Sequence, residues 1–211
     1  MADKRAILDG FADRFAEVAT SSGRRLGVRE VPFGAQLNFR ANPTDGRVAE
    51  AVHKALGFVL PKEPNTAASA GGRSALWLGP DEWLIVGGEG EESLLTRVVN
   101  TALGETFGSV VDVSANRTVI ELSGPAARDV LAHGCLVDLH PRVFGPGRCA
   151  QTLLAKAQVI IHQVNDAPTF HLYVRTSFAW YVAEWLLDAL TEYRGLLVPS
   201  LQGGAGEGVT N

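Results

Sequence analysis

The chain has 211 residues, of which 46% are hydrophobic and 20% charged, with a formal net charge of -4 and a pI near 5.7. This composition excludes a disordered chain and offers no basic footprint for nucleic acid, while the length suffices for one sizeable core or two joined lobes. The opening run from Met1 to Val18 is too charged for a signal peptide, and no window reaches the roughly 18 apolar residues of a membrane span.

In chain order, apolar residues recur at helical spacing from Ile7 to Ala19 and predict an amphipathic helix. The TSSGRR run that follows reads as a hinge, so residues 1–24 are expected to form a helical arm that docks either on the body, residues 25–198, or on another chain. Val28 to Arg40 reads as a strand interrupted at Pro32 and Gly34, and a short helix is expected from Thr44 or Asp45 to Leu56. Phe58 to Ser74 is rich in Pro, Gly, Ser and Ala; its GGRS end lacks the lysine and spacing of a phosphate-cradling loop, and it reads as an ordinary connection. Leu76 to Leu78 and Trp83 to Val86 form a hairpin pattern across Gly79-Pro80-Asp81, with Trp77 and Trp83 expected in a core or interface. A helix with acids at its start follows from Glu91 to Leu103.

The same order then returns. Arg117 to Gly124 is a strand, Pro125 is expected at the first position of a short helix, and Gly134 is expected to close that helix in the left-handed conformation. Cys149 to Val164 reads as two strands broken near Lys156 to Gln158, Phe170 to Ser177 as another strand, and Ser177 as the N-cap of a helix from Phe178 to Leu190. Strand-helix units alternating with hairpins predict an α+β fold with antiparallel or mixed sheets and helices on one face. In the last helix only Glu184 and Asp188 are charged, so it must be covered on most sides by its own fold or by a partner subunit. Residues 199–211 carry too few large apolar side chains to pack and are expected to be a flexible tail.

The stretch LAHGCLVDLHP, Leu131 to Pro141, concentrates His133, Cys135, Asp138 and His140. His133, Cys135 and His140, with Cys149, offer a zinc set, but they lack the paired short-spacing knuckles that place ligands round one ion. A nucleophile reading pairs Cys135 with His133 or His140, yet no nucleophile motif accompanies them. The preferred reading is structural, with Cys135, Leu136, Val137 and Leu139 packing inward and Asp138 capping the next turn. Cys135 and Cys149 are expected to be free thiols of a reducing compartment. Asp112, Ser114, Asn116 and Arg117 read as a loop held by side-chain-to-backbone hydrogen bonds, with an intersubunit contact through Arg117 as the alternative. His162 and His171 sit on expected strands and read as satisfied sheet histidines, and His53 stands on a helix without a companion.

Four stretches carry a resemblance: LGPDEWLIVG, VVDVSANRTVIELSGPAARDVLAHGCLVDLHP, FGPGRCAQTLLAKAQVIIHQV and YVRTSFAWYVAEWLLDAL. Collinear from about Leu76 to Leu190, they resemble the gamma subunit of heterotetrameric sarcosine oxidase. More distantly, IELSGPAARDVL and GPGRCAQTLLAKAQVIIHQV resemble the folate-binding domain of the aminomethyltransferases. In those enzymes an aspartate before the second hairpin strand is implied in the folate reaction; here Ala157 and Gln158 stand near that place, and no Asp or Glu occurs between Asp138 and Asp166. An amide cannot relay a proton as a carboxylate does, so the resemblance implies the scaffold without the chemistry.

The resemblance further implies a cytoplasmic complex with alpha, beta and delta partner subunits. Those subunits would hold FAD, FMN, NAD, tetrahydrofolate and zinc, leaving no cofactor, metal or catalytic residue in this chain. The implied reaction demethylates sarcosine to glycine, yielding hydrogen peroxide and 5,10-methylenetetrahydrofolate or formaldehyde. Two other classes stay open at this point: a free-standing folate-binding aminomethyl-transfer protein, and a self-associating scaffold.

Overall fold

The computed structural model describes residues 5–23 and 25–193; the expected tail from residue 199 lies outside them. A 3₁₀ turn (Asp9–Phe11) leads into α1 (Ala12–Ser21), followed by β1 (Gly27–Val31), β2 (Gly34–Ala41) and α2 (Gly46–Leu56). The first half continues with β3 (Ala67–Ala70), β4 (Arg73–Gly79), β5 (Glu82–Glu89), α3 (Glu92–Leu103) and β6 (Gly108–Asp112). The second consists of β7 (Arg117–Ser123), α4 (Ala127–Ala132), β8 (Cys149–Leu154), β9 (Ala157–Asn165), β10 (Thr169–Arg175) and α5 (Ala179–Ala189).

The strands form two five-stranded sheets, ordered β3-β4-β5-β2-β6 and β8-β9-β10-β7-β1, and every pairing in them is antiparallel. The two orders repeat one plan. Strand by strand, β8, β9, β10 and β7 take the places of β3, β4, β5 and β2, while α4 and α5 occupy the chain positions of α2 and α3. The final strand of the second sheet is β1, supplied from the chain's beginning.

Period-2 alternation gives each strand a helix-facing and an inner row. Leu37, Phe39, Trp83 and Ile85 pack with α2 and α3, whereas Phe170, Leu172 and Val174 pack with α1, α4 and α5. The inner faces meet through Leu76, Leu84, Val119, Cys149, Ile160 and Tyr173, giving four layers, helix, sheet, sheet and helix.

Several local expectations change for physical reasons. Pro32 and Gly34 do not interrupt one strand: they mark the crossing of the chain from one sheet to the other, between β1 and β2. The connection before the tryptophan hairpin contains β3, which pairs with β4 across Gly71 and Gly72. Both glycines have positive φ, +59° and +80°, as a two-residue hairpin turn requires. The helix expected at Pro125 begins at Ala127. Gly134 is absent from the left-handed region; its need is space, because a Cβ there would stand 2.6 Å from the Trp185 ring. Ser177 lies within a 3₁₀ turn (Thr176–Phe178), and α5 starts without a side-chain cap.

The N-terminal helix docks on the body. Phe11, Phe15 and Val18 share a core with α4, α5 and the second sheet. Arg14 forms a two-pronged pair with Glu184 at 2.6 and 2.7 Å, and the Trp180 indole donates to the Ile7 carbonyl at 3.1 Å. Helix α5 buries Ala179, Val182, Ala183, Leu186 and Leu187 in its own fold. Phe178, Trp180 and Tyr181 remain exposed, Trp180 by 60%.

Candidate functional site

Strand register lays three parallel rows across the inner face of the second sheet. The first runs Arg29, Glu121, His171, His162 and Cys149; the second Val31, Val119, Tyr173, Ile160 and Gln151. The third begins with the cross-strand pair Arg117 and Arg175 and continues to Gln158 and Leu153 on β9 and β8. The other sheet covers Val119, Tyr173 and Ile160 of the middle row through Leu76 and Leu84, and it also covers the Cys149 end of the first row. Gln151 adds a polar tie, donating to the Leu78 carbonyl at 2.9 Å.

In the first row the charges are partnered. Glu121 accepts from Arg29 at 2.7 and 2.8 Å and lies 3.2 Å from His171 Nε2. Burial alone would raise its carboxyl, but the hydrogen bonds from Arg29 and His171 outweigh it and hold the group below its usual range. His162 is 3% exposed, and its Nδ1 has no hydrogen-bond partner, so it is not the satisfied sheet histidine expected. Burial, then the neighbouring His171, pulls its pKa down to about 4.

In the third row the charges lack partners. Among the described residues no carboxylate reaches ion-pair distance of Arg117 or Arg175. Burial, and next the neighbouring Arg175, lowers the Arg117 guanidinium below its ordinary value. The backbone under it is fixed, since buried Gln36 donates through Nε2 to the Arg117 carbonyl at 3.0 Å. The Ser114 hydroxyl in turn accepts from the Gln36 amide at 2.9 Å, and Asp112 accepts from the Ser114 amide and hydroxyl. The loop thus is the side-chain-to-backbone structure its sequence predicts, and its work is to set Arg117 in place. The two arginines line a cleft of about 340 Å³ with Gln158, Gln151, Tyr173 and Leu136, and no acid is among its lining residues. Arg117 was singled out by sequence and Gln158 as the departure from the aminomethyltransferase pattern; Arg175 was missed, although alternation with buried Val174 marks its face.

The histidines and cysteines around Gly134 do not converge. Cys149 is buried between the sheets, its sulfur 3.2 Å from the Thr66 carbonyl, while Cys135 packs on the helix side of β8. Burial pushes both thiols up, Cys149 to about 11, which keeps them protonated near neutral pH. His133 lies 3.9 Å from Glu192, and Asp138 accepts from the His140 amide, the capping role expected of it. Among the described residues no three of His, Cys, Asp and Glu gather as a metal site. Trp83 is core, its indole donating to the Pro61 carbonyl at 2.7 Å, and Trp77 is its partly buried cross-strand partner. His53 is exposed on α2. No helix among the described residues is long and apolar enough to cross a membrane.

The fold and the sequence have known counterparts. The chain is 35% identical to a chain of the heterotetrameric sarcosine oxidase from Corynebacterium sp. U-96, in complex with pyrrole 2-carboxylate; the match has a TM-score of 0.82 and covers 90% of this chain and 96% of that one. The glycine cleavage system aminomethyltransferase T from Bartonella henselae shares the fold alone, with a TM-score of 0.61 and 13% identity over 81% of this chain and 48% of that one. The sarcosine oxidase gamma subunit of Corynebacterium sp. (strain P-1) is 39% identical over 191 residues, which is 90% of this chain and 91% of the relative. That of Corynebacterium sp. (strain U-96) is 40% identical over 180 residues, 84% of this chain and 85% of the relative. The model of the sarcosine oxidase, gamma subunit family matches residues 40–192. An α+β duplication that keeps the aminomethyltransferase plan and carries gamma-subunit sequence along nearly its whole length has one reading: this chain belongs to the sarcosine oxidase gamma subunit family.

Proposed function

We propose that this chain acts as an assembly subunit of a sarcosine oxidase and carries none of the chemistry itself. The supporting observation is the cleft at Gln158. Where the aminomethyltransferase pattern calls for a carboxylate, the lining consists of two arginines, amides, a tyrosine and aliphatic groups, with no group that exchanges a proton near neutral pH. The half-buried Cys135 and buried Cys149 thiols, both pushed up by burial, supply no nucleophile. In this reading alpha, beta and delta subunits hold FAD, FMN, NAD, tetrahydrofolate and zinc. They oxidise sarcosine to glycine, reduce oxygen to hydrogen peroxide and hand the one-carbon unit to tetrahydrofolate. This subunit holds them through Phe178, just before α5, and Trp180 and Tyr181 in its first turn, aromatic groups of the kind that anchor interfaces.

Size-exclusion chromatography with absorbance at flavin wavelengths tests the reading, comparing the chain expressed alone with the chain co-expressed with its genomic neighbours. The expected result is a colourless chain alone and co-elution with larger yellow subunits when co-expressed. A stable monomer that ignores those neighbours and quenches its Trp77 or Trp83 fluorescence on adding tetrahydrofolate would establish the free-standing folate-binding alternative.

A further inference from the structure

Unpaired charge at a fixed position is the feature the fold itself does not use. Of the arginines on the inner face of the second sheet, Arg29 is neutralised by Glu121, while Arg117 and Arg175 face one another across the β7–β10 ladder with no carboxylate of the described residues at ion-pair distance. Glu82 acts on Arg117 only from beyond ion-pair distance, and its pull is outweighed by burial and by Arg175; its carboxylate accepts from the Asn38 amide at 2.6 Å. Like charges directly opposite on a ladder are unfavourable, and burial of one adds to the cost. Such a pair is relieved by an anion that both guanidinium forks reach, and a planar carboxylate fits that geometry with two oxygens.

The surroundings decide the source of that carboxylate. The same cleft is edged by Leu136, 79% exposed, and Leu153, 38% exposed. Arginine beside exposed aliphatic surface is the composition of a protein interface core, where a charge is desolvated as the leucines are covered. Gln151 and Gln158 supply amides that complete hydrogen bonding at the rim.

We infer that the Arg117–Arg175 cleft is a docking site for an acidic side chain of a partner oxidase subunit, which seats its carboxylate between the two guanidinium groups while covering Leu136 and Leu153. The inference rests on the assembly role proposed above and names the chemistry of one contact within it. The carboxylate is held by charge-assisted hydrogen bonds, so the contact weakens with salt.

The complete complex, purified by co-expression, tests it in two ways. R117Q and R175Q should each weaken retention of this chain by the flavin-bearing subunits at least about tenfold, and both should flatten the salt dependence of that retention. R40Q, altering an arginine paired with Asp81 away from the cleft, should do neither. Second, R175K places a primary amine at the site. A zero-length carbodiimide cross-linker should then join residue 175 to an aspartate or glutamate of another subunit, identified by peptide mass spectrometry and missing from the wild type. Unchanged retention of both glutamine variants overturns the inference, as does an intact R175K complex whose residue 175 cross-links only within its own chain or not at all. Wild-type chain that fails to co-elute with flavin subunits removes the assembly role itself, a result read before any variant is made.

Discussion

Two rows on one sheet face, separated by a single apolar row, treat charge in opposite ways. Arg29, Glu121 and His171 satisfy one another within the chain, whereas Arg117 and Arg175 stand opposed with no acid of the described residues lining their cleft. The first arrangement contributes to folding through hydrogen bonds to a partly buried carboxylate. The second sets like charges opposite one another, an arrangement unfavourable in the isolated chain and relieved by an anion from outside it.

Four perturbations sharpen or break this contrast. The largest effect belongs to acidification of the partnered row through its neighbour His162. Its folded-state pKa lies at about 4, against about 6.5 for an ordinary imidazole, so between those values the unfolded chain takes up a proton that the folded chain refuses. Stability is therefore complete above about pH 6.5 and falls by up to about 3 kcal/mol as pH drops towards 4. Urea midpoints across that range should show the slope, and H162F should remove most of it. Next, E121A leaves His171 and Arg29 without their shared acceptor and should destabilise the chain by about 2 kcal/mol at pH 7, read from the same midpoints.

A much smaller change is expected in the unpartnered row. R117Q and R175Q should shift the isolated chain's stability by less than about 0.5 kcal/mol, and the shift should be upward if it is measurable. A loss comparable to that of E121A would mean that the two rows do the same work. Smallest of all, R14A removes a half-exposed, solvent-screened pair with Glu184 and should change the melting temperature by no more than a degree or two, roughly the worth of a surface pair.

Sequence made the elements visible but not the way they pair. The Trp77 and Trp83 hairpin and the helices α2, α3 and α5 announce themselves through turn chemistry and 3.6-residue periodicity. Strand β3, Ala-Ala-Ser-Ala, has no β-branched or aromatic residue to signal it and exists because β4 offers it a ladder. Gly134 does follow the end of α4 as its sequence suggests, but the space it leaves for Trp185, 51 positions later, has no local trace. The same limit governs the candidate site. Alternation along β10 places His171, Tyr173 and Arg175 on one face, yet only the register with β7 brings Arg175 opposite Arg117. Arg117 was legible as an isolated polar residue after Ser114 and Asn116; the arginine pair was legible only in three dimensions.

The loan of β1 to the second sheet has a consequence for how the molecule is made. Ribosomal synthesis delivers β1 early, but Arg29 must wait for Glu121, 92 residues downstream, before its ladder can begin. The sheet of the first half is meanwhile complete, because all five of its strands lie between Gly34 and Asp112. During that interval the nascent chain trails an unpaired strand and an apolar helix face behind a finished sheet, a state open to edge-to-edge pairing with other chains. Closure of β1 onto β7 is a long-range step and correspondingly slow, so the first strand to leave the ribosome is among the last to find its place.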